Sequence, residues 1–265
     1  MPSPLVHYLQ TSEKGSDMRT YGDMARKFIE AIGLKNVPIG VYYADEKPAG
    51  ALSHKGVGRG MCVVGLIYQA SQGKSAAFDA QSYGCPGAGR YLGFNFQTMP
   101  HFAEFLSCGI EGVVEGERYI KTPALARVKI GRQPLREAPA RYCCFVPLTE
   151  LPEGIEPELV IFFAPPDHLS ALVILADFGN ELEDSNVIIR FAAGCGQVVA
   201  EPLVEAAAER QRAILGMFDV SARPHVPANL LTLTVPTRMF AEMAGDIDES
   251  FLGTESWQKV RRRHE

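Results

Sequence analysis

Four of the six cysteines in this chain share a setting that could support metal chemistry. Cys62 follows Gly60 by two residues at an expected helix start. Cys85 sits in Gly-Cys-Pro-Gly, Cys108 in Ser-Cys-Gly and Cys195 in Gly-Cys-Gly. Glycine lets the backbone turn sharply and leaves room beside the sulfur. A cysteine followed by proline at a helix start also recurs near iron–sulfur ligands. Four thiolates are the ligand count of a structural zinc ion or an iron–sulfur cluster. Cys62, Cys85, Cys108 and Cys195 are therefore the expected metal ligands, with an iron–sulfur cluster or zinc as cofactor. No C-x-x-C pair is present, and the intervals between the four exceed those of known ligand signatures. The plain alternative is four independent buried cysteines, since free cysteine packs as a small apolar residue. Cys143 and Cys144 lie in a strand-like run, where neighbouring side chains point to opposite faces, and are expected in the core.

Two glycine-rich turns suggest different chemistry. Lys55–Gly60 and Gly84–Arg90 each precede a helix, whose free N–H groups favour anions. Gly84, Gly87, Gly89 and Arg90 form the expected anion-binding set, for a metal-free module that takes a small anionic ligand. A thiol-dependent enzyme using Cys85 is the third reading. Neither turn fits a dinucleotide-binding or phosphate-loop motif. Asp219, Ser221 and Arg223 form a polar cluster in which the arginine fork could orient a substrate carboxylate. An ordinary surface turn with a local Asp–Arg pair is the competing reading. His54, His101, His168 and His225 are scattered without ligand spacing and are expected at the surface or at helix caps.

The elements that must position these residues alternate between helix and strand. Met24, Phe28, Ile29 and Ile32 recur at helical spacing, predicting a helix over Tyr21–Leu34 that Gly33 helps to end. Pro38–Tyr43 reads as a strand, Ala49–Gly60 as a loop and Met61–Ser71 as a helix. Pro86 suits the first turn of a helix reaching Leu92. Further helices are expected over Pro100–Ser107 and Glu117–Ile130. Arg141–Pro147 and Glu158–Phe163 follow as strands, then a helix over His168–Phe178 and a strand over Val187–Ala192. A long helix is expected over Leu203–Leu215, a strand over Leu230–Val235, and a last group of helices from Pro236 to the basic end. No Pro/Ser-rich linker divides the chain. The expected architecture is α+β, one domain with a mixed sheet packed by helices. It should span residues 17–260, with 1–16 as an N-terminal extension and 261–265 as a basic tail.

Bulk composition narrows the function classes. The chain has 265 residues, 46% hydrophobic and 22% charged, enough for a sizeable core. The formal net charge is −5, leaving no basic excess to neutralise phosphates, so nucleic acid is not an expected partner. No apolar run approaches the roughly 20 residues of a membrane helix. The first residues lack a charged region followed by an apolar one, so the expected location is the cytoplasm, where thiols stay reduced. A small-molecule ligand is the expected partner.

Several segments, taken in order, resemble a known family. They include Pro38–Tyr43, Cys62 ahead of an amphipathic helix, Gly84-Cys85-Pro86-Gly87-Ala88 with Leu92-Gly93-Phe94, and Glu117-Arg118-Tyr119 before Lys121-Thr122-Pro123. Pro166-Asp167-His168-Leu169-Ser170-Ala171-Leu172, Ala192-Ala193-Gly194-Cys195, Asp219-Val220-Ser221-Ala222-Arg223 and Thr234-Val235-Pro236 continue the series. The set resembles domain of unknown function 169, found in bacteria and archaea, from Tyr21 to Trp257. The resemblance implies one domain along the chain. It brings no assigned reaction and no catalytic residues.

Overall fold

The computed structural model describes residues 20–264, apart from 59 and 134; the expected extension over 1–16 lies outside them. Helix α1 (Tyr21–Ile32) begins at Thr20, whose side chain accepts the Asp23 N–H while Asp23 bonds back to the Thr20 N–H. Gly33, left-handed at φ 82°, ends it. Strand β1 (Ile39–Ala44) leads to α2 (Val63–Ala70), β2 (Ala76–Phe78) and α3 (Pro86–Tyr91). An excursion then carries α4 (Phe102–Phe105) and α5 (Pro123–Arg132) before the chain returns as β3 (Tyr142–Pro147). Next come β4 (Leu159–Ala164), α6 (Pro166–Ala176), β5 (Val187–Ile188), a π-helical turn at Gly196–Ala200 and α7 (Glu201–Ala206). β6 (Ala213–Gly216), β7 (Leu231–Pro236), α8 (Thr237–Asp246) and α9 (Glu255–Arg261) follow.

Among the described residues, seven strands form one sheet in the order β2-β3-β1-β4-β7-β6-β5, antiparallel except for the β5–β6 pair. Central strand β4 shows why the core has two halves. Its side chains alternate, so Val160, Phe162 and Ala164 face one layer of helices and Leu159, Ile161 and Phe163 the other. A strand covered on both faces must be apolar throughout, as β4 is. On the first face, Phe28 of α1 packs against Phe162 at 5.3 Å and Phe240 of α8 at 5.0 Å between ring centroids. On the second face, Val63, Val64 and Ile67 of α2 pack with Val198, Val199 and Leu203 from the π-turn and α7. This second layer holds the cysteines considered below. The fold is α+β, a single domain with a mixed sheet between helical layers.

Two expected helices differ from the observed ones, the expected strand over Val187–Ala192 stops at Ile188, and strand β2 is not among the expected elements. The predicted helix over Leu203–Leu215 ends at Ala206, and Ala213–Gly216 is instead strand β6. Pairing of Ile214 and Leu215 with Thr234 and Leu233 of β7 overrides the local helical preference. The predicted helix over Glu117–Ile130 begins only at Pro123, where Thr122 caps it through the Leu125 N–H. Strand β2 carries no alternating signal because Ala76, Ala77 and Phe78 are all fully buried.

Candidate functional site

Three of the four glycine-flanked cysteines lie in or against the core of the second face, near enough to act on one another's charge. Cys62 is the residue before α2, Cys85 the residue before α3, and Cys195 leads into the π-turn. Missing side chains permit this approach. A Cβ on Gly84 would stand 2.4 Å from the Met61 carbonyl oxygen and 2.5 Å from the His54 ring. Only glycine, here at φ +75°, lets the strand of chain before Cys85 lie against that before Cys62. A Cβ on Gly194 would meet Ala222 at 2.8 Å and Val64 of α2 at 3.4 Å. One on Gly196 would meet the Tyr91 ring of α3 at 3.0 Å. The glycines flanking Cys195 thus seat it between α2 and α3.

The electrostatics agree with this placement. Burial first, then the charges of Cys85, Cys62 and Asp219, push the Cys195 thiol well above its usual range. Burial, with smaller effects from Cys85 and Asp219, pushes Cys62 up to about 11, while the N–H groups of Val64 and Gly65 pull it partway back. The groups acting most on these two thiols include no cation. Cys85 is partly exposed, and its sulfur accepts the Ala88 N–H at 3.4 Å. Among the described residues, no three His, Cys, Asp or Glu side chains are arranged to hold a metal ion as they lie.

Asp219 ties the centre together. Its carboxylate accepts the Gly194 N–H at 2.8 Å, and the Ser221 N–H and hydroxyl at 3.0 and 2.7 Å. Gln197, in the π-turn, donates to the Arg190 carbonyl at 2.9 Å and accepts the Phe218 N–H at 3.0 Å. Both loops flanking Cys195 are therefore pinned by side chains. π-turns inside helices occur often at functional sites.

The remaining expected residues fall elsewhere or do different work. Cys108 is exposed, donates its thiol proton to the Gly109 carbonyl at 3.6 Å, and is not among the groups acting most on Cys62 or Cys195. It lines an open cavity of about 540 Å³ inside the loop 108–118, with Glu111, Glu115 and Arg118. Cys143 faces the second layer and Cys144 a separate small cluster with Tyr42 and Val146, so the pair divides between the two faces. Arg90 does not stand over the start of α3. Its guanidinium donates to the Phe96 and Ile130 carbonyls at 3.0 and 3.4 Å. Gly87 lies beside the Cys85 sulfur, and Gly89 packs under the Tyr83 ring. Arg223 forms no pair with Asp219; its fork is taken by the Ala228 and Leu230 carbonyls. His168, expected at the surface or a cap, is instead 2% exposed.

Sequence reasoning missed His54, Tyr91 and Gln197 as neighbours of the centre. None carries a spacing signal, because each reaches the cysteines from a different part of the chain. Comparison with curated proteins and with solved structures gave no match. No helix among the described residues is long and apolar enough to cross a membrane. The model of one family, described as DUF169, uncharacterised ArCR, matches residues 27–246. The chain therefore belongs to the DUF169 family.

Proposed function

We propose that Cys62, Cys85 and Cys195 hold an iron–sulfur cluster through three thiolates, leaving one corner open to a small ligand. The observation that carries this reading is the convergence of three cysteines from three separate segments, enforced by Gly84, Gly194 and Gly196. Bringing such segments together costs chain entropy, which independent core cysteines have no reason to meet. The charges support a cation rather than a free thiolate. A catalytic thiolate is commonly lowered in pKa by a nearby basic group, whereas the charged groups acting on Cys62 and Cys195 are other thiols and Asp219, and the Val64 and Gly65 N–H groups offset the rise at Cys62 only in part. A bound metal reverses that balance by taking the thiolates' charge.

A cluster suits the trio better than a single ion. Four-coordinate zinc needs sulfurs about 4 Å apart, from bonds of about 2.3 Å. The side chains as they lie do not offer one ion three donors at once. A cluster spans a wider gap, and turning a cysteine about χ1 moves its sulfur by roughly 3 Å. When bound, such a cluster supplies electron transfer or a Lewis-acidic iron at the open corner. The chain's own part is to present the sulfurs and to fix their loops through Asp219 and Gln197.

Anaerobic purification followed by reconstitution with iron and sulfide tests this. The expected result is bound iron and acid-labile sulfide, about four of each per chain for a cubane, with broad near-ultraviolet and visible absorption. Protein that takes up no iron under these conditions contradicts the reading. Iron-free protein alkylated selectively at Cys85 would favour the thiol-dependent enzyme, for which the partly exposed Cys85 is the available nucleophile.

A further inference from the structure

Away from the cysteines, the C-terminal segment closes on the start of α6 through a group of titratable side chains. Trp257 of α9 is 3% exposed and donates its indole N–H to the Ala31 carbonyl at the end of α1, at 3.2 Å. Arg261 lies along Gly33, its Nε 3.5 Å from where a Cβ would stand. A 3-10 turn, Arg262–His264, then follows. Arg263 reaches the Asp167 carboxylate at 3.3 Å and His264 Nε2 reaches it at 2.8 Å. The His264 ring also lies 4.6 Å from the ring of His168, the next residue of α6.

His168 is the unusual member of this group. It is 2% exposed, and neither ring nitrogen has a hydrogen-bond partner. A buried polar ring without partners costs free energy, more so when charged. The charged or titratable groups acting on it are Lys35 from the loop after α1, His264 from the C-terminal turn and Asp167 from its own helix. Arg263 stands on the same Asp167 carboxylate. The closed arrangement thus offers a protonated His168 no acceptor and sets Lys35 and His264 against it.

We propose that residues 255–264 form a pH-operated latch, shut over the neutral His168 ring and released when that ring takes a proton. Burial, followed by the charge of His264, lowers the His168 ring to about 4, whereas a freely solvated histidine titrates near 6.5. Between those values the open form binds a proton that the closed form refuses. The sign follows directly: closure is complete above about pH 6.5 and is lost as pH falls toward 4, with no further loss below. Within that window the opening equilibrium should rise about tenfold per pH unit from this ring. Asp167 also holds Arg263 and His264, so the decisive quantity is the difference between slopes with and without His168.

Amide hydrogen exchange across 255–264 in the full chain, corrected for intrinsic rates, measures the opening. Trp257, the single tryptophan, reports it independently by fluorescence. From about pH 7 to 4.5, wild-type opening should rise with acidity and Trp257 emission should shift to the red. His168→Phe keeps a ring and cannot titrate, so its rise should be shallower by about tenfold per pH unit. Asp167→Asn should loosen the segment at every pH while keeping the His168-dependent slope, and serves if the phenylalanine variant folds poorly. Equal slopes in wild type and His168→Phe, or a slope abolished by Asp167→Asn, would overturn the latch.

Discussion

Glycine 84 does two things at once, and its substitution separates a contact requirement from an ordinary turn. Its φ of +75° disfavours an L side chain, and the Met61 carbonyl occupies the Cβ position. Gly84→Ala should cost about 2–5 kcal/mol, combining about 1–2 for the left-handed backbone with overpacking of about 1–3. Urea denaturation measures it; a loss below about 0.5 kcal/mol would mean that the two cysteine segments do not abut. Gly131 is the control. It lies in α5 with nothing within 4 Å of its Cβ position, so Gly131→Ala should stabilise by about 0.5–1 kcal/mol. At this scale the sequence displayed the right residue types. Glycines flanking cysteines marked places where backbones approach closely. The partners stayed hidden, because Met61, Val64 and Tyr91 meet these glycines only in the folded chain. For the same reason Arg90 and Arg223 read as free cations, yet both spend their forks on backbone carbonyls nearby.

The segment after Cys195 shows where local reasoning gives way among the elements. Its alanine-rich run favours helix, but Arg210 and Arg212 turn back toward the β5 edge. Arg210 donates to the Asp184 carbonyl at 2.6 Å, and Arg212 reaches Glu205 at 2.9 Å. Glu205, 3% exposed, also takes Arg190 at 3.1 Å, and so ties α7 to both flanking segments. Glu205→Ala would leave two arginines without their shared acceptor. Because both arginines keep some contact with water, the expected loss is about 2 kcal/mol, below that of a fully buried pair. Thermal or urea unfolding reads it directly. A loss near zero would mean that the β6 edge and α7 hold together without this carboxylate. The long periodic helix α1 and strongly apolar β4 were legible because their patterns carry their burial. The short edge strand β2 was not, since three residues give no period to read, while β5, expected over Val187–Ala192, forms only at Val187–Ile188.

For the whole molecule, one seven-stranded sheet with helices on both faces makes separate unfolding of halves costly, because β4 at the centre serves both layers. Above pH 7, where the C-terminal segment is shut, we expect a single cooperative transition, with Trp257 fluorescence and backbone circular dichroism changing together; two separated transitions would show independently folding units. Interleaved helix and strand signals, with no linker, made this class readable from sequence. The four cysteines stood out in the sequence, but only tertiary structure separates Cys108, on its exposed loop, from Cys62, Cys85 and Cys195 in the second layer. That separation is the most direct test of the account. Iron and acid-labile sulfide per chain should be measured after anaerobic reconstitution of Cys62→Ser, Cys85→Ser, Cys195→Ser and Cys108→Ser. The account predicts that the first three each lose most of their iron while Cys108→Ser keeps the wild-type content. Equal loss in all four, or no loss in the first three, would contradict it.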